Sequence, residues 1–219
     1  MNGSSEPLDA YRLVAALSGH EVDFVVIGGV ALQAHGHVRT TVDLDVVAAW
    51  TPENMRHLAD ALDQLGAKLR GVDADRLGLD LSDPETLYAG GNFLMHTRHG
   101  DLDVFSVEQT AGAPARYEEL RIRAITVEVR GITLLIAHPD DLIRMKTAAA
   151  QFRDRPAPKR RQDLDDIAVL QRLRASQEPE ARQTRKASPE PPTGPGPARS
   201  ESSSHQPPRR DGPSGPSQF

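Results

Sequence analysis

At 219 residues, 38% hydrophobic and 26% charged, the chain is sized for one ordinary globular domain and little more. It has no cysteine, which excludes disulfides and thiolate metal centres and makes a reducing cytoplasm the expected compartment. Its net charge of −5 is uneven: residues 174–219 hold seven Lys/Arg and five Asp/Glu, leaving 19 basic and 26 acidic residues on 1–173, so composition writes no general nucleic-acid surface.

The opening MNGSSEPLDAYR lacks the basic-then-apolar order of a secretory signal, and no apolar run approaches the roughly 20 residues needed to span a bilayer, so no membrane partner is expected. Residues 8–18 place Leu8, Tyr11, Leu13, Val14 and Leu17 largely on one helical face. VDFVVIG (22–28) is a near-continuous β-branched and aromatic run and reads as a central strand. Gly28-Gly29 then opens a short helix to about His35, with Gly36 as its C-terminal stop. VDLDVVAA (42–49) is the second strand, and Thr51-Pro52 caps a helix that ends at Gly66. A polar, loop-rich stretch, 71–91, yields no assignment. Residues 92–106 read as two short strands turning at Arg98–Gly100, and APARYEELRIRA (113–124) as a helix. Residues 125–137 read as a hairpin turning at Arg130-Gly131, followed by helices over 138–152 and 160–173. These elements make one α+β domain, 1–173, with a mixed or antiparallel sheet. From 174 onward the chain is rich in Pro, Ser and Gly without apolar periodicity, which predicts a disordered tail over 174–219.

Asp43 and Asp45 interrupt an apolar strand, where an unpaired carboxylate is costly. Alternation puts them on one face with Leu44 and Val46 opposite, so the two acids repel unless a cation lies between them. Mg²⁺ suits such a pair, being a hard ion held by carboxylates and substrate phosphates. A strand with one solvated face is the plain alternative. GDLDVFS (100–106) repeats the Asp-Leu-Asp-Val form. If it pairs beside 42–49, either Asp101 or Asp103 can supply a third acid, the arrangement used for in-line phosphoryl or nucleotidyl transfer. Asp101 adjoins the turn glycine and reads as an exposed turn residue, so Asp103 is the expected third carboxylate. The Gly28-Gly29 turn, lacking Cβ atoms, lets backbone N–H groups approach phosphate, and Arg39 either contacts phosphate or clamps a carboxylate. His35-Gly36-His37 offers only two ligands, with no cysteine, and does not make a zinc site. His96 and His99 flank a turn with no assigned role. Arg153, Arg155, Lys159, Arg160 and Arg161 form a local basic run, read either as a grip on RNA or as a solvated loop.

GGVALQAHGHVRTTVDLDVV resembles the signature of the polymerase-β-type nucleotidyltransferase superfamily: Gly-[Gly/Ser], a helix, Arg-[Ser/Thr]-Thr, then Asp-x-Asp. The later DLIRMKTAAAQ and KRRQDLDDIAVL are similar to the AbiEii-type branch, the nucleotidyltransferase toxins of toxin–antitoxin and phage-defence loci. The resemblance covers roughly residues 20–173 and implies a minimal nucleotidyltransferase fold, a mixed sheet flanked by helices, that uses Mg²⁺ and an NTP such as ATP. It implies catalytic, metal-binding roles for Asp43, Asp45 and Asp103. Gly28, Gly29, Arg39, Thr40, Lys146, Asp163 and Asp166 would bind the nucleotide. Lys146 has a plain alternative as a helix-surface residue, and Asp163 and Asp166 as partners of Arg160 or Arg161. Many members carry serine where this chain has Gly29, so a hydroxyl contact to phosphate is missing there. The resemblance further implies an RNA acceptor, tRNA in several toxins of the branch, and an antitoxin protein as partner. Two other readings stay open: transfer to a small molecule such as an aminoglycoside, or to a protein hydroxyl; and a catalytically silent nucleotide-binding module.

Overall fold

The structure is a computed structural model that describes residues 6–71, 78–105 and 116–186, with side chains through 176. Its first element, α1 (Ala10–Gly19), starts where Asp9 accepts a hydrogen bond from the Arg12 backbone N–H, and it buries Leu13, Val14, Ala16 and Leu17. The run FVVI forms β1 (Phe24–Ile27), and α2 (Gly28–Ala34) begins at the very next residue. β2 (Asp43–Ala48) follows, then α3 (Pro52–Leu65), capped by Thr51 and stopped by Gly66 in a left-handed conformation at φ 61°. A two-residue strand, β3 (Lys68–Leu69), comes next. A short helix, α4 (Pro84–Tyr88) capped by Asp83, lies in the stretch where sequence yields no assignment. Positions 72–77 of that stretch lie outside the described residues.

The expected strand pair appears as β4 (Phe93–Thr97) and β5 (Gly100–Phe105), closed by the Thr97 hydroxyl donating to the Gly100 carbonyl at 2.7 Å. Residue 106, and 113–115 of the expected helix, fall outside the described residues; the helix is seen as α5 (Tyr117–Arg123). The hairpin β6 (Ile125–Val129) and β7 (Ile132–Ile136) turns through Arg130 and Gly131, both at positive φ. α6 (Pro139–Gln151) and α7 (Ala157–Lys186) complete the chain. α7 runs past the expected boundary at 173, and the remainder of the expected tail, 187–219, lies outside the described residues.

The seven strands form one mixed sheet in the order β3-β4-β5-β2-β1-β7-β6. The β1–β2 pair is antiparallel, whereas β2–β5 and β1–β7 are parallel. The parallel register of β2 and β5 sets Leu44 beside Leu102 and Val46 beside Val104, all four buried to 1% exposure or less. Period-two alternation then sends Asp43, Asp45, Asp101 and Asp103 to the opposite face. One face of these strands joins the hydrophobic core with α3 residues such as Met55, Leu58 and Leu62. The other face floors a cavity of about 590 Å³. Among the described residues, no helix is long and apolar enough to cross a membrane.

Candidate active site

Asp43, Asp45 and Asp103 each offer a carboxylate oxygen within 4.8 Å of the other two. Register explains this: Asp45 is the direct cross-strand partner of Asp103, and Asp43 lies two residues away on the same strand and face. The repeated Asp-Leu-Asp-Val phrase hints at that register without determining it. Two of the three acids are raised above the ordinary carboxylate range, by burial first and by neighbouring carboxylates second. Burial, then Asp43 and Asp103, push the Asp45 carboxyl up to about 7, against the opposing pull of Lys146 and the Gly29 N–H. Burial lifts Asp103 to about 6, with Arg70 pulling it down and Asp43 pushing it up. An all-oxygen donor set left short of positive charge is what a hard divalent cation satisfies. The residues therefore fit Mg²⁺.

The glycine turn is built around Asp45. Gly28 sits at φ 61°, and a Cβ placed on it would fall 1.9 Å from Asp45 Oδ2. A Cβ on Gly29 would fall 2.2 Å from the Thr41 hydroxyl oxygen. The space that a serine would need at 29 is thus already filled by a hydroxyl, and Thr41 donates it to Asp43 Oδ1 at 3.1 Å. Sequence reasoning misses Thr41, although it precedes Asp43 by two residues and lines the same cavity.

Opposite the sheet stand α6 and α7, which pack against each other. Lys146 Nζ lies 2.8 Å from Asp166 Oδ2 and 3.2 Å from Asp163 Oδ1. Arg39 Nε is 3.0 Å from Asp166 Oδ1, and His37 Nε2 is 3.1 Å from the same oxygen. Arg155 approaches Asp163 Oδ2 at 2.8 Å. Asp163 and Asp166 are 2% and 1% exposed, so they act as buried anchors for the cations rather than as a surface pair with Arg160 or Arg161. Burial pushes the Asp166 carboxyl up, but Lys146, Arg39 and His37 outweigh it and leave it below its ordinary value.

Gly28, Gly29, Arg39, Thr40, Asp43, Asp45, Asp103, Lys146 and Asp163 all line the 590 Å³ cavity, and Asp166 stands directly behind it through Lys146 and Arg39. Leu94, Phe105, Leu142 and Met145 give it apolar walls, and Arg155 and Lys159 come from the basic run. Two expectations are corrected. Asp101 is buried at 7% exposure rather than an exposed turn residue, because Arg70, just past the edge strand β3, and His96 on β4 hold it. His96 accordingly has a partner, Asp101 Oδ1 at 2.7 Å, and His35 contacts the Ala137 carbonyl at 2.8 Å.

Residues 9–175 match the family described as nucleotidyltransferase of unknown function (DUF6036). The chain belongs to that family. This nucleotidyltransferase finds no match among curated proteins. Three solved structures are similar to it. The solution structure of the antibiotic-resistance factor ANT(2'')-Ia is 15% identical, with a TM-score of 0.41 and coverage of 81% of this chain and 95% of that one. The crystal structure of ANT(2'')-Ia in complex with adenylyl-2''-tobramycin is 17% identical, with a TM-score of 0.43 and coverage of 81% and 97%. An antigenic nucleotidyltransferase-like protein from Paracoccidioides brasiliensis is 20% identical, with a TM-score of 0.44 and coverage of 76% of each chain.

Proposed function

We propose that this nucleotidyltransferase transfers a nucleoside monophosphate from an NTP to a hydroxyl of RNA, tRNA in particular, and does so with Mg²⁺. The observation that carries the reading is the juxtaposition of three carboxylates, within 4.8 Å of one another, with Lys146 and the glycine turn around one cavity. Asp43, Asp45 and Asp103 would hold the metal, which when bound lowers the pKa of the attacking hydroxyl and neutralises triphosphate charge. Lys146, Arg39, Thr40 and the backbone at Gly28-Gly29 would take the triphosphate. Asp163 and Asp166 serve the nucleotide indirectly, by fixing Lys146 and Arg39 against drift into the acidic cluster. Asp103 would help activate the acceptor hydroxyl, the general-base position that the resemblance gives the third acid.

Lys159, which lines the cavity from the basic run, supports a polyanionic acceptor over a cationic aminoglycoside. The toxin role and an antitoxin partner follow from the AbiEii-type resemblance, with the cytoplasm as the place of action. The test is incubation of the chain with Mg²⁺, total RNA and each α-labelled NTP in turn. Label should enter RNA, with none from the Asp43→Ala or Asp45→Ala chain. Label entering an aminoglycoside or a protein instead would replace the acceptor reading, and NTP binding without transfer to any acceptor would mark a silent module.

A further inference from the structure

The edge strand β3 delivers a residue to the site that neither the motif nor the cavity includes. Arg70 follows directly on β3, its backbone N–H donating to the Leu94 carbonyl at 2.7 Å. Its guanidinium reaches inward: Nη1 donates to Asp101 Oδ2 at 2.7 Å, and Nη2 donates to Asp103 Oδ1. Asp101 is in turn held at its other oxygen by His96 Nδ1, 2.7 Å away. Arg70 Nε is buried and makes no hydrogen bond among the described residues, so both bonds of the guanidinium to this site go to the two aspartates. Asp101 and Asp103 are the cross-strand partners of Asp43 and Asp45, so all four carboxylates share one face. Yet only Asp103 converges with the pair on β2. Arg70 and His96 between them engage both oxygens of Asp101, whereas Arg70 bonds one oxygen of Asp103.

We infer that Arg70 is a positioning residue for nucleotidyl transfer: its two-pronged bond between Asp101 and Asp103 sets the orientation in which Asp103 presents itself to a divalent cation. The inference rests on the reading that the three carboxylates hold such an ion. A planar fork can bridge two carboxylates in fixed geometry, whereas a lysine ammonium keeps the charge and loses the geometry. Partners that orient a metal-binding carboxylate are worth about 10–100-fold in metal affinity or activity.

The test uses the full chain and Mn²⁺ as the probe, with binding followed by electron paramagnetic resonance, alongside transfer kinetics and thermal unfolding. R70K should bind Mn²⁺ at least tenfold more weakly and lose at least tenfold in kcat, with the KM for NTP within twofold and a thermal midpoint near the parent's. In a chain already carrying D103N, R70K should change Mn²⁺ affinity by less than twofold, because Arg70 acts through Asp103. R70K binding Mn²⁺ like the parent would overturn the role of Arg70, and so would an R70K effect of undiminished size in the D103N chain. A parent chain that binds no Mn²⁺, or binds it equally with and without D103N, would overturn the metal reading itself and this inference with it.

Discussion

Gly28→Ala separates what the glycine turn does for the backbone from what it does for the site. The residue sits at φ 61°, where an L side chain costs roughly 1–2 kcal/mol. The added Cβ would lie 1.9 Å from Asp45 Oδ2, 2.6 Å from Cγ and 2.8 Å from Cβ. Rotation of the Asp45 side chain removes the first two overlaps but not the third, because Cβ moves only with the strand. The β1–α2 junction and β2 must therefore part, and overpacking of this kind costs about 1–3 kcal/mol. The total expected loss is about 2–5 kcal/mol, accompanied by displacement of a central carboxylate. Gly36→Ala is the control: φ is 93° and nothing lies within 4 Å of the added atom, so only the backbone cost applies. Urea unfolding, Mn²⁺ titration and nucleotidyl transfer should show G28A weakened in all three, with transfer down about a hundredfold or more, of the order seen when reacting groups are misplaced by about 1 Å. G36A should lose only stability. A G28A chain as stable as G36A and still active would refute the claim that Gly28 is glycine because Asp45 packs against it.

Asp45→Asn should abolish transfer yet raise the thermal midpoint of the metal-free chain at pH 8 by about 2–8 °C, since about 1–2 kcal/mol of like-charge repulsion and burial cost is removed; scanning fluorimetry decides this, and a lower midpoint would contradict it. The pH dependence has the same origin. Asp45 and Asp103 have folded pKa values of about 7 and about 6, above the ordinary 3.8, so the folded state holds more protons than the unfolded one between those limits. Their contribution to stability is full below about pH 4 and is lost as the pH rises through 6 to 7. The metal-free chain should therefore be more stable in urea at pH 5 than at pH 8, and added Mg²⁺ should narrow the gap mainly at pH 8. Asp166→Asn should destabilise the chain by about 3–5 kcal/mol, because it strips Arg39 and Lys146 of a carboxylate that is 1% exposed; denaturant titration reads the loss directly.

Local chemistry makes much of this fold legible in the amino-acid sequence. Thr51-Pro52 and Gly66 bound α3 at the expected positions, and Arg130-Gly131 turns the β6–β7 hairpin. The repeated Asp-Leu-Asp-Val phrase serves as a register mark, because its two leucines share the core and its aspartates share the cavity face. What stays hidden depends on contacts far apart in the chain. β3 is two residues long, too short for any period to show, and Arg70 has meaning only once β4 and β5 place Asp101 and Asp103 beside it. The anchoring role of Asp163 and Asp166 needs α6 to pack on α7 and the Arg39 loop to reach Asp166 on α7. α7 outruns its apolar stripe, since a helix nucleated by packing extends into polar sequence at little cost per residue.

The arrangement of charge explains why one site needs residues drawn from positions as distant as 28 and 166. The sheet gathers carboxylates on one face, where burial first, and neighbouring carboxylates second, raise Asp45 and Asp103. Asp163 and Asp166 hold Lys146 and Arg39 at 2.8–3.2 Å on the helical side. The chain thus keeps an acidic wall and a basic wall apart across about 590 Å³, at the cost of burying two more carboxylates. A metal–triphosphate complex has the complementary polarity, cation toward one wall and phosphates toward the other. That match of polarity supports the proposed metal–triphosphate reading of the cavity.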